Sequence, residues 1–521
     1  MSKTPKFYIT TAIAYVNAAP HIGFAMEIVE ADCLARYHRA KGEDVWFLTG
    51  TDEHGTKIQQ TAKKFEMTPQ ELADKNAPLF EKLAKDLNLS NDDFIRTSSD
   101  RHKKGAAEIW KKLVEVGDIY KASYKGYYCV GCEAFVTEKD LINGKCPEHD
   151  KEPEVVMEEN YFFKLSKYSD QIAELIRSDK LRVWPDSRKN EILSVCEEGL
   201  TDVSFSRPVK TLEWGIAVPE DENQVMYVWC DALSNYITAL EGDKFKKYWP
   251  ADVHVIGKGI LRFHAGVWIG MLLAAGFEIP KSICVHGYIT SEGQKMSKSL
   301  GNTVDPFAVI EQWGCDPTRY YLLKEIPTTD DGDFSKERFK AVYDSELANN
   351  FGNLFSRVLA MTAKYFDGAV PAVVDDKIVS DVVRDAWEKY DEYFACFDLK
   401  KACEEACKLA SFANLYVDEN KPWVLAKNDK EKLARVIYVL LELLRHIAMM
   451  LWPFIPETSD KMLLSLGQCK DAEHSLHNNI SCFALAKLLN AGVYRAHKFG
   501  ELKEGSKVAS AGPLFPRREV V

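Results

Sequence analysis

Hydrophobic and polar positions at the start of the chain follow a strand pattern, then a helix pattern, then a strand pattern again. The β-branched and aromatic run Lys6–Thr11 predicts a strand. After it, Pro20 suits the first position of a helix that runs to about His38 and stops before Gly42. The apolar run Val45–Leu48 predicts a second, buried strand. These elements form a βαβ unit, and ligands bind at the carboxyl ends of the strands in such units.

The last part of the chain has the periodicity of helices. From Ser345 to about Leu466, apolar residues recur at the spacing of one helix face. The stretch from Gly117 to Pro153 is instead rich in Gly, Tyr, Cys and Lys, which is typical of an inserted subdomain. We therefore predict an α/β domain of Rossmann-like type, interrupted by an insertion and followed by an all-α helical bundle. The predicted boundaries are 1–116 and 216–325 for the two halves of the α/β domain, 117–215 for the insertion, 326–345 for a linker and 346–521 for the helical bundle.

Composition and charge narrow the class of protein. Hydrophobic residues make up 46% and charged residues 28% of the chain, which is typical of a soluble globular protein. No apolar run is long enough for a transmembrane helix, so we expect no membrane partner. The net charge of −11 disfavours indiscriminate coating of nucleic acid but leaves room for a local basic RNA-binding surface. The 13 cysteines, an odd number and mostly within apolar segments, indicate a reducing, cytoplasmic compartment.

Two short motifs suit the binding and transfer of phosphate. The segment His21–Phe24 (HIGF) falls at the predicted helix start, where free N–H groups favour phosphate oxygens. The segment Lys295–Ser299 (KMSKS) places two cations on a glycine-flanked loop, and phosphoryl chemistry depends mainly on positioning and charge. Either segment alone could equally be a capped helix with a half-buried histidine or an exposed basic loop. Together and in this order, they predict activation of a carboxylate by ATP with release of pyrophosphate.

A third motif has the spacing of a metal site. Cys129 and Cys132 are separated by two residues, and after 13 further residues Cys146 and His149 repeat that spacing. Three thiolates and one imidazole form a tetrahedral zinc site with no open position for water. The segment therefore predicts a structural zinc knuckle, with reduced, metal-free cysteines as the alternative.

The helical part carries a polar face. Asn349, Asn353 and Arg357 recur every four residues, away from the apolar stripe, and Trp423 follows Pro422. Amide, guanidinium and indole groups suit the recognition of unstacked RNA bases. On these residues alone, the alternative is a solvated helix face and a core tryptophan.

Together, these segments resemble the methionyl-tRNA synthetase family of class I aminoacyl-tRNA synthetases over nearly the whole chain. Besides the three motifs, the resemblance rests on Ala12–Asn17, Thr49–Gly55, Tyr227–Leu233, Gly352–Arg357 and Lys421–Trp423. It implies that methionine and ATP form methionyl-adenylate and pyrophosphate. The methionyl group would then move to the terminal adenosine of initiator and elongator methionine tRNAs, which have a CAU anticodon. It also implies Mg²⁺ with the ATP and, since no appended tRNA-binding module follows the helical part, a monomer.

The resemblance assigns residues to four kinds of site. Catalytic roles fall on His21, Gly23, Lys295 and Lys298, and ATP binding falls on His21, Ile22, Gly23, Phe24, Lys295, Met296, Ser297, Lys298 and Ser299. The methionine pocket would comprise Ile13, Tyr15, Asp52, Trp229, Ala232, Leu233, Tyr236, Ile260 and His264. The anticodon would be read by Asn353, Arg357 and Trp423, and zinc would be held by Cys129, Cys132, Cys146 and His149. Homocysteine is the expected intruder, because one methylene in an apolar slot is worth only about 1–3 kcal/mol.

Two positions depart from the family pattern. Phe24 stands where the first motif usually ends in His, and Phe cannot donate a hydrogen bond to a nucleotide. Gly259 stands where an acidic residue is common, so a contact to the ribose or the substrate amine is either absent or supplied from elsewhere.

Two alternative functions stay open at this point. One is a class I synthetase for another amino acid. A cysteine enzyme would usually hold zinc in its amino-acid pocket, and enzymes for leucine, isoleucine or valine would need room for a large editing insertion. The other is a non-catalytic, synthetase-like tRNA-binding protein, which the two departures favour slightly and the intact His21, Asp52, Lys295 and Lys298 disfavour.

Overall fold

The computed structural model describes most of the chain. The described residues are 4–136, 138, 141–147, 150–296, 302–373, 376–468, 498–509 and 512–518. Strands occur in the first two-thirds and are β1 (Lys6–Thr11), β2 (Ala14–Tyr15), β3 (Asp44–Asp52), β4 (Asp93–Arg96), β5 (Ile119–Cys129), β6 (Ala134–Val136), β7 (Glu154–Phe163), β8 (Arg182–Trp184), β9 (Val203–Ser204), β10 (Ser206–Pro208), β11 (Ala217–Val218), β12 (Asp221–Met226), β13 (Val253–Gly257), β14 (Ser282–His286), β15 (Ile289–Ser291), β16 (Gln294–Lys295) and β17 (Gly332–Phe334).

Helices occur along the whole chain and dominate its last third. They are α1 (Ile22–Ala40), α2 (Thr56–Lys64), α3 (Pro69–Asp86), α4 (Asp100–Glu115), α5 (Ser169–Arg177), α6 (Asp186–Glu198), α7 (Val228–Leu233), α8 (Asn235–Thr238), α9 (Asp243–Tyr248), α10 (Ile269–Ala274), α11 (Pro306–Trp313), α12 (Cys315–Lys324), α13 (Lys336–Val342), α14 (Leu354–Phe366), α15 (Lys377–Ala395), α16 (Leu399–Asn420), α17 (Pro422–Asn428), α18 (Lys430–Leu451) and α19 (Pro456–Ser465). Two π-helical segments, Phe263–Trp268 and Tyr343–Asn353, interrupt this pattern, and such segments are frequent at functional sites.

A parallel sheet of seven strands forms the centre of the α/β half. Its order is β2-β3-β1-β13-β14-β8, and β4 also pairs with β3. In the middle strand, Ile9 lies opposite Phe47 of β3 and Val253 of β13, and all three side chains are buried. Parallel strands that are buried on both faces have continuous apolar sequences. This explains why β1 was predicted with its observed limits. The strand predicted at Val45–Leu48 extends through Asp52, because the polar residues after it continue the ladder.

Helix α1 packs between the sheet and the helical half and is buried around most of its circumference. It begins at Ile22, two residues after the predicted start at Pro20. The reason is that His21 is the N-cap, and its Nδ1 accepts a hydrogen bond from Gly23 N at 3.1 Å.

The insertion is built on an antiparallel sheet of order β6-β5-β7-β9. Strands β5 and β7 pair from Ile119 opposite Phe163 to Tyr128 opposite Glu154, so they form a long two-stranded arm. Cys129 ends β5, which places the predicted metal motif at the far end of this arm. A smaller sheet of order β16-β15-β17 carries the chain into the lysine motif.

Long helices α15, α16 and α18 form a bundle with α14, α17 and α19. The core around α1 continues into the bundle. It includes six apolar residues at helical spacing directly after Ser345, namely Leu347, Phe351, Leu354, Phe355, Val358 and Leu359. The predicted fold class, an α/β domain with an insertion followed by an all-α bundle, is therefore confirmed. None of the helices in the described ranges is long and apolar enough to cross a membrane.

A fully buried arginine joins the two halves. The guanidinium of Arg319, on α12, lies 2.7 Å from Asp32 of α1. It also donates to three backbone carbonyls, those of Leu87 after α3 and of Pro453 and Phe454 before α19, at 2.9–3.0 Å. A buried charge is stable only when it is paired and hydrogen-bonded, and Arg319 meets both conditions.

Replacing Arg319 by Met should destabilise the protein by about 3–5 kcal/mol, because it leaves Asp32 buried with one cation fewer and three carbonyls without a donor. The measurement is the midpoint and slope of urea unfolding. Arg338→Ala is the matched control, since Arg338 is 57% exposed and pairs with Glu325 at the surface, so its loss should change stability by less than about 1 kcal/mol. Equal effects of the two substitutions would contradict a special role of the buried arginine.

Candidate active site

The predicted site residues gather at the carboxyl edge of the parallel sheet. Asp52 is the last residue of β3, and Ile13 and Tyr15 follow β1. Ile260 and His264 lie just after β13. This is the edge at which open parallel sheets bind ligands.

The histidine motif forms a closed turn at the start of α1. The imidazole of His21 folds over the first helical turn, and a Cβ on Gly23 would lie only 2.9 Å from its Cε1 atom. Any larger residue at position 23 would therefore displace the His21 ring from this position. Ile22 is buried, and its N–H donates to Val304 O at 3.2 Å. The chain that returns from the lysine motif thus lies directly beside the helix start.

Phe24 has a packing role. Its ring meets that of Phe80, on α3, edge to face with centroids 5.1 Å apart. Edge-to-face aromatic pairs add about 0.5–1.5 kcal/mol beyond the burial of their area. The first departure from the family pattern thus joins α1 to α3.

The lysine motif is described only in part. Lys295 ends β16 and pairs in register with Thr290, and Met296 packs against the core around α1. The predicted ATP-binding residues Ser297, Lys298 and Ser299 lie outside the described residues.

The predicted methionine pocket is assembled from two walls. One wall is α7 and α8, which carry Trp229, Ala232, Leu233 and Tyr236, all buried. The other is the turn and π-helical segment after β13, which carry Ile260 and His264. Ile13, Tyr15 and Ile260 are half-buried and pack against the core cluster that contains Trp229, Leu233 and Tyr236.

Hydrogen bonds and ring contacts fix the two walls against each other. Tyr236 Oη lies 2.7 Å from His264 Nε2, and His264 Nδ1 lies 2.9 Å from Ile260 O. The indole of Trp229 stacks on Phe263 with centroids 3.8 Å apart. Burial lowers the pKa of His264 to about 4, so the imidazole is neutral at physiological pH and the slot carries no charge there.

Three polar atoms of this pocket are buried without a hydrogen-bond partner in the described part of the chain. They are Tyr15 Oη, Asp52 Oδ1 and Trp229 Nε1. Buried polar groups are normally satisfied, so unsatisfied atoms on three residues predicted for one pocket indicate a polar ligand.

Asp52 is the acidic member of that group. Burial, followed by the negative charge of Asp231, raises the pKa of Asp52 well above its ordinary value. A bound cation would reverse this shift. The carboxylate is therefore suited to an ammonium group that arrives with a ligand.

Sequence reasoning did not assign a role to a buried network behind the pocket. Asp231 of α7 lies 2.6 Å from His54 Nδ1 and 2.7 Å from His102 Nε2, and His102 Nδ1 lies 2.8 Å from Thr238 Oγ1. Although burial opposes ionisation, the two histidines hold the pKa of Asp231 at about 2. The available signal was an acidic residue inside the apolar segment Tyr227–Leu233.

The second departure from the family pattern makes room for a tyrosine. A Cβ on Gly259 would lie 2.1 Å from Tyr288 Oη and 3.4 Å from its Cζ. The neighbouring Lys258 bridges Asp331 at 2.7 Å and lies 4.6 Å from the centre of the Tyr288 ring. The tyrosine hydroxyl therefore occupies the space in which an acidic side chain at position 259 would begin.

The cysteine motif converges at the end of the insertion arm. The Sγ atoms of Cys129, Cys132 and Cys146 lie within 4.8 Å of one another, and those of Cys132 and Cys146 are 3.5 Å apart. Zn–S bonds of about 2.3 Å in a tetrahedron place the sulfurs about 3.8 Å apart, so the three thiols fit a zinc ion. His149, the predicted fourth ligand, lies outside the described residues.

The predicted RNA-reading residues lie on an exposed face of the bundle. Asn353 Nδ2 donates to Asn349 Oδ1 at 3.1 Å, which confirms that the two amides share a face. Arg357 reaches Asp418, near the end of α16, at 3.3 Å. Trp423, in the next helix, is 46% exposed, so its indole is accessible to a partner.

Family models match nearly the whole chain. One, described as tRNA synthetases class I (M), matches residues 7–153 and 138–359. The other, described as the anticodon binding domain of methionyl tRNA ligase, matches residues 367–493.

Relatives and solved structures agree with these matches. A methionine–tRNA ligase of Caldanaerobacter subterraneus subsp. tengcongensis is 43% identical over 100% of this chain and 80% of its own length. One of Rickettsia felis is 42% identical over 98% of both chains. The structure of Mycobacterium tuberculosis methionyl-tRNA synthetase in complex with methionyl-adenylate is 37% identical, with a TM-score of 0.90, and the match covers 99% of this chain and 100% of that one.

Gly259→Ala should destabilise the protein by about 1–3 kcal/mol, because its Cβ would collide with Tyr288 Oη and move the ring. Adding Tyr288→Phe should restore most of that loss, since the remaining contact to Cζ is an ordinary 3.4 Å. Urea unfolding of the two single variants and the double variant measures the coupling between the positions. Additive effects would show that the hydroxyl does not fill this space.

Proposed function

The chain belongs to the methionyl-tRNA synthetase family of class I aminoacyl-tRNA synthetases, and from that premise we propose how its residues bind the substrates and carry out the reaction. It is an ATP-dependent ligase that joins methionine to tRNA. The observation that carries the proposal is buried Asp52 at the carboxyl edge of the sheet, where its Oδ1 has no partner among the described residues.

Asp52 receives the ammonium of methionine. The neutral slot between Trp229 and His264 receives the thioether side chain, and Ile13, Ala232, Leu233 and Ile260 line it. Tyr15 Oη and Trp229 Nε1 supply further polar contacts at the mouth of the slot.

The first step joins the methionine carboxylate to the α-phosphorus of ATP. A carboxylate oxygen bonds to phosphorus, and the bond between that phosphorus and the pyrophosphate oxygen breaks. The carboxylate is already ionised at neutral pH, so this step needs alignment and charge neutralisation and no general base. His21 and Gly23 hold ATP at the start of α1, and Lys295 and Lys298 neutralise the transition state. Mg²⁺ accompanies ATP and is bound chiefly by its phosphate oxygens.

The second step moves the methionyl group to tRNA. A ribose hydroxyl of the terminal adenosine bonds to the carbonyl carbon, and the bond to AMP breaks. Asn353, Arg357 and Trp423 select initiator and elongator tRNAs by their CAU anticodon. The exposed indole is suited to stacking on an unpaired base.

Further features of the proposal come from the sequence. Residues 1–116 and 216–325 form the catalytic domain, 117–215 the insertion, 326–345 the linker and 346–521 the anticodon-binding bundle. Cys129, Cys132, Cys146 and His149 hold one structural zinc. The enzyme works as a monomer, and its compartment is the cytoplasm.

The test is exchange of labelled pyrophosphate into ATP, with one amino acid at a time. Exchange with methionine, and not with cysteine, leucine, isoleucine or valine, is the expected result. In Asp52→Asn, the KM for methionine should rise about ten- to hundredfold, because a charge-assisted hydrogen bond is worth about 1.5–3 kcal/mol. The KM for ATP should stay within about twofold.

The pH dependence of the affinity for methionine distinguishes the effect of the Asp52 charge from the effect of the shape of the pocket. Methionine binds the ionised form of Asp52, and the free enzyme holds this carboxyl protonated at unusually high pH. The wild-type affinity should therefore weaken as the pH falls, starting above the value of about 4 at which an ordinary Asp titrates, and Asp52→Asn should lack this slope. Asp381→Asn, an exposed position of α15, is the control. Exchange with another amino acid, or unchanged affinity in Asp52→Asn, would refute the assignment.

Trp423→Ala should lower kcat/KM for charging of methionine tRNA about ten- to hundredfold, because stacking on an aromatic ring is worth about 1–3 kcal/mol per base. Pyrophosphate exchange should be unchanged, since the bundle takes no part in the first step. Ile378→Ala, at another exposed apolar position of the bundle, should leave both reactions unchanged. Normal charging of tRNA by a folded Trp423→Ala enzyme would show that Trp423 does not read the anticodon.

A further inference from the structure

Glu133 belongs to the cysteine motif by sequence and to the catalytic half by contact. It directly follows Cys132, has a left-handed backbone with φ of 49°, and is completely buried. A buried carboxylate needs specific partners, and two of those of Glu133 lie next to the predicted methionine pocket, one after Asp52 and one before α7.

The first partner is the turn that follows β3. Glu133 Oε1 accepts the backbone N–H of Lys57, in the first turn of α2, and lies 3.1 Å from where a Cβ on Gly55 would be. A negative charge at a helix N-terminus is favourable. The segment it holds begins with Asp52, the proposed ligand of the substrate ammonium.

The second partner is the turn that precedes α7. Tyr227, the N-cap residue of α7, donates its hydroxyl to the backbone carbonyl of Glu133. Tyr128 donates its hydroxyl to Glu133 Oε2 and lies under the guanidinium of Arg207 at 4.3 Å. Helix α7 carries Trp229, Ala232 and Leu233, which belong to one of the two walls of the pocket.

We propose that Glu133 is a positioning residue of the methionine pocket, through which the cysteine knuckle sets the spacing between the Asp52 turn and α7. The inference rests on the proposed function of that pocket. Glu133 is one residue from a proposed zinc ligand and contacts both the segment that follows Asp52 and the residue that precedes α7, so the fold of the knuckle is transmitted to the substrate site. A displacement of about 1 Å at a binding wall can cost about a hundredfold in rate.

The test compares Glu133→Ala with Glu133→Gln. In Glu133→Ala, the zinc content should equal that of the wild type, because the ligands are intact. The dissociation constant of methionine, measured by calorimetry, should rise at least about tenfold, while that of ATP changes less than about threefold. Glu133→Gln should recover most of the affinity, since its amide oxygen still accepts from Lys57 N.

Two further variants guard against a general loss of structure. Tyr227→Phe removes the hydroxyl that donates to the Glu133 carbonyl and should weaken methionine binding by about three- to tenfold. If Glu133→Ala does not fold, this variant alone tests the positioning role. Glu159→Ala, an exposed position of β7 in the same insertion, should leave zinc and both affinities unchanged.

The outcomes separate this inference from the proposed function. Wild-type methionine affinity in both Glu133→Ala and Tyr227→Phe would overturn the positioning role, as would loss of zinc with an equal loss of affinity for both substrates. A wild-type enzyme that exchanges pyrophosphate with another amino acid would overturn the proposed function instead.

Discussion

The contact between Arg319 and Asp32 determines where the two halves of the molecule meet. Because Asp32 is on α1, the same guanidinium that joins the helical bundle also holds the helix whose first turn seats His21. Asp32 further accepts from Arg36 and from Ser90, and these partners, against the effect of burial, hold its pKa at about 2. An ion pair this deeply buried adds little stability by itself, but removing one partner is costly, so the arrangement favours a single relative position of the halves.

Within the catalytic half, the surroundings of two neighbouring carboxyl groups shift their pKa values in opposite directions. Asp231 is ionised because His54 and His102 face it on both sides. Asp52 Oδ1 has no partner among the described residues, and burial and the charge of Asp231 raise the pKa of this carboxyl well above its ordinary value. In the proposed pocket, Asp52 is therefore the group suited to the substrate ammonium, and the neutral His264 is suited to the apolar side chain.

Elements with a strong local signal could be predicted from the sequence, and contacts between distant segments could not. The limits of β1 follow from residue types within six consecutive positions, and the structure has the same limits. The start of α1 was wrong by two residues, because a histidine rather than a proline defines the cap. The resemblance predicted Asp52 and Trp229 as pocket residues, but Glu133 gave no signal, because its partners outside the insertion, Lys57 and Tyr227, are 76 and 94 positions away along the chain. Such a contact depends on the docking of the insertion, which no local pattern encodes.

The departures at Phe24 and Gly259 have a common physical character. In each, a polar group expected near the nucleotide is replaced by packing: Phe24 against Phe80, and the Gly259 backbone against Tyr288. The first contact joins α1 to α3. The second lies beside the ion pair between Lys258 and Asp331, the residue before β17, and β17 pairs with β15. Neither departure removes His21 or a lysine of the second motif. Because the proposed first step depends on alignment and charge neutralisation more than on individual ribose contacts, both departures are compatible with it. The retained His21, Lys295 and Lys298 argue against the non-catalytic alternative more strongly than the two departures argue for it.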